Sequence, residues 1–141
     1  MEQILKEKIS ADHLLYVSLK YTKTCDIIIN LILRWKNMIE LALDKLVEKA
    51  KKEKKWKAVL DAPKAKLVQL KKIYSSNKII YQTLELYEMF REIEKVEKIR
   101  ENEFRKGVNL KIFYKGKTID INLDKLKEYS ELLEKFISQI K

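Results

Sequence analysis

The chain has 141 residues and a formal net charge of +10, with 31 lysines and arginines against 21 aspartates and glutamates. This length suits a single domain over residues 1–141, and a hydrophobic fraction of 46% is enough to build one core. Two glycines, one proline and one cysteine exclude collagen-like chains, most turn-rich all-β folds, disulfide frameworks and multi-cysteine metal sites.

The amino-terminal residues and the apolar runs of the chain predict where the protein is located. The chain is charged from its second residue, and it shows neither a cleavable secretory signal nor an apolar run that could span a bilayer. We therefore predict a cytoplasmic protein without membrane contact, which agrees with its single free thiol.

Ile4 and Ile9 indicate a short opening helix, after which the side chain of Ser10 or of Asp12 can cap a longer one.

Residues 14–47 predict the long first helix of a bundle. They contain no glycine or proline, and polar residues recur at steps of three and four, which is the helical period. This polar stripe consists of Asp26, Asn30, Arg34, Asn37, Glu40, Asp44 and Glu48. The pattern fits one very long helix, or two helices with a modest kink at residues 35–37. Its apolar face is wide and needs cover on several sides, so we expect a homodimer formed through this helix.

The middle of the chain predicts two further helices. The long helix is expected to fray at residues 51–57, and residues 61–63 start a new helix with a carboxylate cap and a proline in the first turn. The polar run 75–77 can cap the next helix. We expect that helix to continue to Arg105 and to end at Gly107, since glycine suits the left-handed residue after a helix.

Residues 108–121 predict one small β-hairpin before a carboxy-terminal helix. Apolar residues alternate with polar ones on both sides of Lys115-Gly116, which suits a two-residue turn. The register then pairs Tyr114 with Lys117, Ile112 with Ile119, Leu110 with Ile121 and Val108 with Leu123, and it places Lys111 opposite Asp120 on the other face. Asn122 caps the last helix. The predicted fold class is therefore an all-α up-and-down bundle with one hairpin.

The positive charge is concentrated in one segment. Residues 45–78 contain twelve basic and three acidic residues, a net charge of +9. Two interpretations are open: a solvated surface of the lysine-rich kind that hot habitats favour, or a surface that attracts RNA or an acidic protein. Tyr87 and Tyr129 are expected in the core, whereas Trp56 lies between lysines. The candidate anion-binding or RNA-binding residues are Lys49, Lys51, Lys52, Lys54, Lys55, Trp56, Lys57, Lys64, Lys66, Lys71 and Lys72.

No catalytic motif is recognisable, and we predict no catalytic residue, no cofactor and no metal site. His13 directly follows Asp12, and adjacent helical positions point about 100° apart, so the two do not form a ready-made acid–base pair. Cys25 is expected to be a small core residue. The charged segment 91–106 is expected to be a solvated helix face with the pairs Glu94–Lys98 and Glu101–Arg105. The weaker polar candidates are Asp12, His13, Arg91, Arg100 and Arg105.

Three segments carry a resemblance to a known class. They are the opening Ala11-Asp12-His13-Leu14-Leu15-Tyr16-Val17-Ser18-Leu19-Lys20-Tyr21-Thr22-Lys23-Thr24, the long helix after it, and the Arg91–Arg105 segment that leads to the hairpin and the terminal helix. Together they resemble small archaeal helical bundles of the HEPN class (higher eukaryotes and prokaryotes nucleotide-binding). The resemblance implies a bundle that is commonly dimeric and that acts as a ribonuclease or as the partner of a minimal nucleotidyltransferase in a toxin–antitoxin pair.

The catalytic signature of that class is an arginine followed a few residues later by a histidine, and this chain lacks it. His13 precedes every arginine, namely Arg34, Arg91, Arg100 and Arg105. We therefore expect a non-catalytic, HEPN-like binding module whose residues 49–72 contact an anionic partner such as RNA. The alternative is a structural or protein-interaction module, for example an antitoxin-like partner. A ribonuclease that uses Asp12 and His13 is the least favoured function.

Overall fold

The computed structural model, which describes residues 1–58 and 62–141, consists of helices and one small antiparallel sheet. The elements are α1 Glu2–His13, a π-helical turn Leu14–Ser18, α2 Leu19–Tyr21, α3 Cys25–Lys52, α4 Pro63–Ile73, α5 Lys78–Arg91, β1 Glu97–Glu101, β2 Asn109–Tyr114, β3 Lys117–Asn122 and α6 Leu123–Ile140. The fold is mostly helical, as predicted. The predicted hairpin is part of a three-stranded sheet with the order β1-β2-β3, so the all-α assignment is too narrow.

The first break between helices lies at residues 22–24. Ser10 and Asp12 lie inside α1, so the predicted cap at either of them is wrong. Helical structure continues past them because the apolar pattern continues, with Ala11 and Leu19 both buried. Thr24 is extended and caps α3, because its hydroxyl accepts the backbone N–H of the third residue of that helix at 3.4 Å.

Helix α3 is the predicted long helix, although it is not the first. It is continuous through residues 35–37, where a kink was an alternative, because Trp35 and Met38 are both buried and extend one apolar face. Helices α1, α4, α5 and α6 all pack against it. Leu41 is the one large apolar side chain of α3 that is exposed. The chain itself therefore covers this helix, and a second subunit is not needed for that purpose.

The connection between α3 and α5 follows the prediction. Helix α3 ends at Lys52, and Lys54 has a positive φ of 60°, so the charged run does leave the helix there. Pro63 occupies the first turn of α4 as expected; the predicted cap Asp61 lies outside the described residues. Asn77 caps α5, because its side-chain oxygen accepts the N–H of Ile80 at 3.2 Å.

The predicted helix through Arg105 to Gly107 is wrong. Helix α5 ends at Arg91, and the chain then turns into β1, which pairs antiparallel with β2 from Glu97 opposite Phe113 to Glu101 opposite Asn109. Backbone pairing with β2 is a tertiary contact, and it outweighs the helical propensity of a charged segment. One of the three segments that resemble the HEPN class is therefore a strand and turns.

The two predicted ion pairs of that segment are wrong for the same reason. Lys98 lies in β1, and its Nζ donates to the carbonyls of Ile93, Glu94 and Val96 at 3.0, 3.1 and 3.0 Å. The Glu101 carboxylate lies 3.7 Å from Lys111 Nζ instead of pairing with an arginine four residues later. Lys98 thus bonds to the turn before β1, and Glu101 pairs with a neighbouring strand of the sheet.

The register of the β2–β3 hairpin is confirmed. Four predicted pairs are present: Tyr114 with Lys117, Ile112 with Ile119, Lys111 with Asp120, and Leu110 with Ile121. Lys115 and Gly116 have φ angles of 51° and 74°, as a two-residue turn with two left-handed residues requires. The expected pair of Val108 with Leu123 is not part of the ladder, because Asn109 pairs with Asn122 and Leu123 already begins α6.

Aromatic rings from α3, α5 and α6 meet at the edge of the core: Trp35 and Phe90 are buried, whereas Tyr129, which was expected in the core, is half-buried and lines a pocket. Trp35 stacks on Phe90 with ring centroids 6.0 Å apart, and Tyr129 meets the Phe90 ring edge-on at 5.6 Å. Tyr87 is buried as predicted, and its hydroxyl donates to Glu40 at 2.9 Å. Burial, followed by the nearby Glu103 carboxylate, raises the pKa of the Cys25 thiol to about 11, as suits the core position expected for it.

Candidate functional site

Three lysines of the predicted basic region line one open pocket of about 310 Å³. They are Lys55 and Lys57 from the connection after α3, and Lys72 from α4. The floor is built by α4, where positions 65, 68, 69 and 72 share a face because the helix repeats every 3.6 residues. We call these three residues the lysine pocket. Three of the eleven candidate anion-binding residues therefore line one pocket.

A glutamine clamp holds the lysine pocket together. The Lys57 backbone N–H donates to the Gln69 side-chain oxygen at 2.6 Å, and Gln69 Nε2 donates back to the Lys57 carbonyl at 2.9 Å. Two hydrogen bonds to one backbone position fix the irregular connection against α4. The Lys57 backbone is therefore fixed beside α4, and Lys57 and Lys72 line the same pocket.

The pocket lysines are largely unpaired. Lys55 Nζ lies 3.5 Å from Glu53, an exposed pair that contributes little to stability. No carboxylate among residues 1–58 and 62–141 is within ion-pair distance of Lys57 or Lys72. Their charges therefore face solvent or a ligand, and a phosphate in the pocket would be attracted by all three lysines.

The remaining candidates lie elsewhere on the surface. Lys49 and Lys52 line a second pocket of about 180 Å³ beside the end of α6. Lys71 pairs with Glu88 in a third pocket of about 420 Å³, and Lys66 lies 3.6 Å from Asp44. Lys51, Lys54 and Lys64 are exposed. The basic segment is thus divided among several surfaces, and a single continuous groove does not collect it.

Trp56 is not positioned as a free stacking ring. Its side chain is half-buried and packs against the hydrophobic core. It anchors the connection after α3, between the two lysines that reach the lysine pocket. The mixed basic and aromatic context of this residue is therefore explained by packing at the end of the bundle.

His13 lies in a groove of about 740 Å³ between α1 and α3. The polar residues that share the groove with it are Ser10, Asn30, Arg34 and Asn37. Asp12 does not pair with it, because Lys8 Nζ lies 2.8 Å from the Asp12 carboxylate and 2.6 Å from Glu134. Arg34, the arginine in this groove, lies 3.4 Å from Glu7. The sequence analysis did not name Arg34 among the weaker polar candidates.

The weaker polar candidates do not form one cluster. The Arg91 guanidinium lies over the Tyr87 ring at the end of α5, 5.8 Å from its centroid. Arg100 pairs with Asp26 at 2.6 Å near the start of α3, and Arg105 is exposed in the turn after β1. None of these three arginines lines the groove that contains His13.

A basic surface with two exposed aromatic rings is not singled out by the sequence analysis. Tyr21 at the end of α2 and Phe104 in the turn after β1 are 79% and 74% exposed. Lysines and arginine adjoin both rings in the sequence, as Lys20-Tyr21-Thr22-Lys23 and Phe104-Arg105-Lys106. The basic residues next to Phe104 in the sequence could have identified it as a candidate. It was not identified because a helix was predicted through Arg105, whereas the structure has an exposed turn there.

Comparisons with other proteins add no assignment. No protein-family model, curated protein or solved structure matches the chain. Within residues 1–58 and 62–141, histidine, cysteine, aspartate and glutamate side chains do not form a group of three or more that could hold a metal ion. Among the helices of the same residues, none has the length and hydropathy that crossing a bilayer requires.

Proposed function

We propose that the chain is a non-catalytic binding module, of the HEPN-like type, that contacts RNA through the lysine pocket. The observation that supports this most directly is the convergence of Lys55, Lys57 and Lys72 on one open pocket. Two of the three have no carboxylate partner among the described residues, so their charge is available to phosphate. Lysine binds phosphate as a point charge, which suits contact with a backbone and carries no base preference.

The charge of the whole molecule supports the same function. A net charge of +10 on 141 residues draws a polyanion toward the surface before any specific contact forms. Because the excess is concentrated in residues 45–78, the attraction is strongest toward the surfaces that this segment supplies, and the lysine pocket is one of them. A non-catalytic role agrees with the order of the residues, since His13 precedes every arginine.

Charge reversal in the lysine pocket tests this proposal. We expect RNA affinity to fall at least about tenfold in the triple variant Lys55→Glu, Lys57→Glu, Lys72→Glu. The slope of log affinity against log salt should become shallower by about 0.7 for each phosphate that the variant no longer binds. The measurement is fluorescence anisotropy of a labelled RNA over a series of salt concentrations.

A matched triple variant separates a site from overall charge. Lys6, Lys95 and Lys135 are exposed and have no ion pair within the described chain, so their change to glutamate alters the net charge equally. This control should lose much less affinity than the lysine-pocket variant. An equal loss in both, or no RNA binding by the wild type at low salt, contradicts the proposal.

A protein-interaction module is the second candidate function, supported by apolar side chains on the α1–α2 segment. Ile9, Tyr16 and Val17 are 68%, 56% and 41% exposed, and Ile9 lines the groove between α1 and α3. Exposed apolar side chains gathered on one segment are typical of an interface. The homodimer expected from the sequence would then form through this segment instead of α3, or the segment would bind an antitoxin-like partner.

Light scattering tests the homodimer. We expect the wild type to have a dimer mass at micromolar concentration and the double variant Ile9→Lys, Val17→Lys to have a monomer mass, because two buried lysines would oppose association. Ile99→Lys is the control, since Ile99 is 46% exposed on β1 and lies outside this segment. A wild-type monomer at that concentration argues against the dimer.

A further inference from the structure

We propose that the surface around Tyr21 and Phe104 stacks the unpaired bases of single-stranded RNA. This rests on the proposed function for the class of ligand, and it adds the form of the ligand: a strand with free base faces instead of a duplex. The aromatic surface is defined as Tyr21 and Phe104 together with the cations that adjoin them, Lys20, Lys23, Arg105 and Lys106.

The two rings are unusually exposed for aromatic side chains. Tyr21 and Phe104 have exposed fractions of 79% and 74%, above those of the other exposed large hydrophobic side chains among the described residues. Aromatic side chains normally bury most of their area. Two of them left in water on neighbouring segments provide flat apolar faces, and a nucleobase is a flat ligand that covers such a face by stacking.

The loop that contains Phe104 is anchored beside Tyr21. The Phe104 backbone N–H donates to the Lys23 carbonyl at 2.7 Å, two residues after Tyr21. The Cys25 N–H at the start of α3 donates to the Glu103 carboxylate at 3.2 Å. These bonds fix the turn of Phe104 against the segment that directly follows Tyr21 before a ligand arrives. Binding then costs less ordering than it would for two rings on free loops.

The backbone around Phe104 is strained. Asn102 and Phe104 have φ angles of 54° and 67°, in the left-handed region that a bulky side chain rarely adopts. Glycine at position 104 would close the same turn at lower cost. The turn by itself therefore does not account for phenylalanine there, and strained residues of this kind gather at binding sites.

Four cations belong to the same two segments as the rings. Lys20 Nζ lies 5.9 Å from the centroid of the Tyr21 ring, and Lys23 Nζ donates to the Lys20 carbonyl at 2.7 Å. Arg105 and Lys106 directly follow Phe104 in the sequence. Within residues 1–58 and 62–141, no carboxylate pairs with any of these four cations. In the proposed complex these cations attract the phosphates that flank a stacked base.

A polar groove of about 570 Å³ continues from the aromatic surface. It is lined by Lys23, Lys106 and Lys127, and also by the carboxylates of Asp120 and Asp124. Asp120 accepts a hydrogen bond from the Asn109 side chain at 2.9 Å, so part of its charge is engaged within the protein. Three lysines along one groove give a path for the backbone of a strand whose bases lie on the rings.

The aromatic surface and the lysine pocket are at opposite ends of α3. That helix has 28 residues, and at a rise of 1.5 Å per residue it is about 42 Å long. Substitutions at one surface therefore leave the other unchanged. A duplex presents phosphates to both surfaces but hides its base faces, so removal of a ring should affect a single strand and spare a duplex.

The test uses a fluorescein-labelled oligouridine, alone and annealed to oligoadenosine, with anisotropy as the measurement. We expect Phe104→Ala and Tyr21→Ala each to weaken single-strand binding about tenfold, since a stacked base contributes about 1–3 kcal/mol. Duplex affinity should not change. Phe104→Tyr, which keeps a ring, should bind as the wild type does. Phe113→Ala is the control, because Phe113 lies on β2 and is 36% exposed.

A stacking signal makes the outcome specific. An oligouridine that contains one 2-aminopurine should lose fluorescence on binding the wild type and should lose less on binding Phe104→Ala. If both ring variants bind the single strand as the wild type does, the inference is overturned. If they do so while the lysine-pocket variant binds less RNA, the proposed function remains. If the ring variants bind the single strand more weakly and the lysine-pocket variant does not, the stacking inference remains and the lysine pocket is not the RNA contact. If the wild type binds neither form of RNA, both proposals fall.

Discussion

Replacement of Phe90 by alanine is expected to lower the free energy of unfolding by about 3–5 kcal/mol. The Phe90 side chain is fully buried between Trp35 and Tyr129, which belong to two other helices. Its removal takes away the apolar surface of one ring, leaves a cavity among three helices and breaks the packing of two neighbouring rings. Chemical denaturation followed by tryptophan fluorescence or circular dichroism measures the change.

Phe104→Ala is the matched control for that substitution. The same side chain is removed at a position that is 74% exposed, and alanine tolerates the left-handed backbone no better than phenylalanine does. Its effect on stability should stay within about 0.5 kcal/mol. Equal losses in the two variants would show that Phe90 does not lie in the core. The same control also establishes that any loss of RNA binding in Phe104→Ala is not a loss of folding.

Lys98→Met is expected to cost about 2 kcal/mol, because hydrogen bonds to a charged group contribute about 1.5–3 kcal/mol. The Lys98 ammonium donates to three backbone carbonyls in the turn between α5 and β1. Methionine keeps most of the length of the side chain but leaves those carbonyls without this donor. The position was expected to carry a solvated helix pair with Glu94, for which the loss would be a few tenths of a kcal/mol.

Lys95→Met provides the comparison within the same turn. Lys95 is exposed, and its side chain makes no hydrogen bond or ion pair within the described chain. The change in the free energy of unfolding should therefore be below about 0.5 kcal/mol. A loss of stability in Lys98→Met no larger than that in Lys95→Met would show that the three hydrogen bonds of the Lys98 ammonium do not stabilise the turn. Urea denaturation of both variants beside the wild type is sufficient.

The hairpin and two of the helix caps were predictable because each depends on neighbours in the sequence. Lys115-Gly116 needs only two left-handed residues, and the alternation on both sides then determines which residues pair. Asn77 and Asn122 accept backbone N–H groups three residues ahead, a purely local geometry. The buried face of α3 follows in the same way from a period that spans one helix.

The strand β1 was not predictable from its own residues. Glu97–Glu101 is highly charged and favours a helix locally, but it pairs with β2 across an intervening turn. The absence of the predicted helix also changed the candidate site. Once residues 102–107 form a turn and not a helix, Phe104 is exposed beside Lys23, and a second basic surface is present at the far end of α3.

The amino-acid sequence by itself determined the helical period of α3, the register of the hairpin, the positions of two asparagine caps and the segment in which positive charge accumulates. Only the tertiary structure decided which lysines share a pocket, that Trp56 packs against the core, and that the Phe104 backbone bonds to Lys23, two residues after Tyr21. The physical reason is how far apart in the sequence the interacting residues are. Periodicity, capping and turn chemistry act over a few residues, whereas the convergence of charges and rings depends on how elements far apart in the chain pack together.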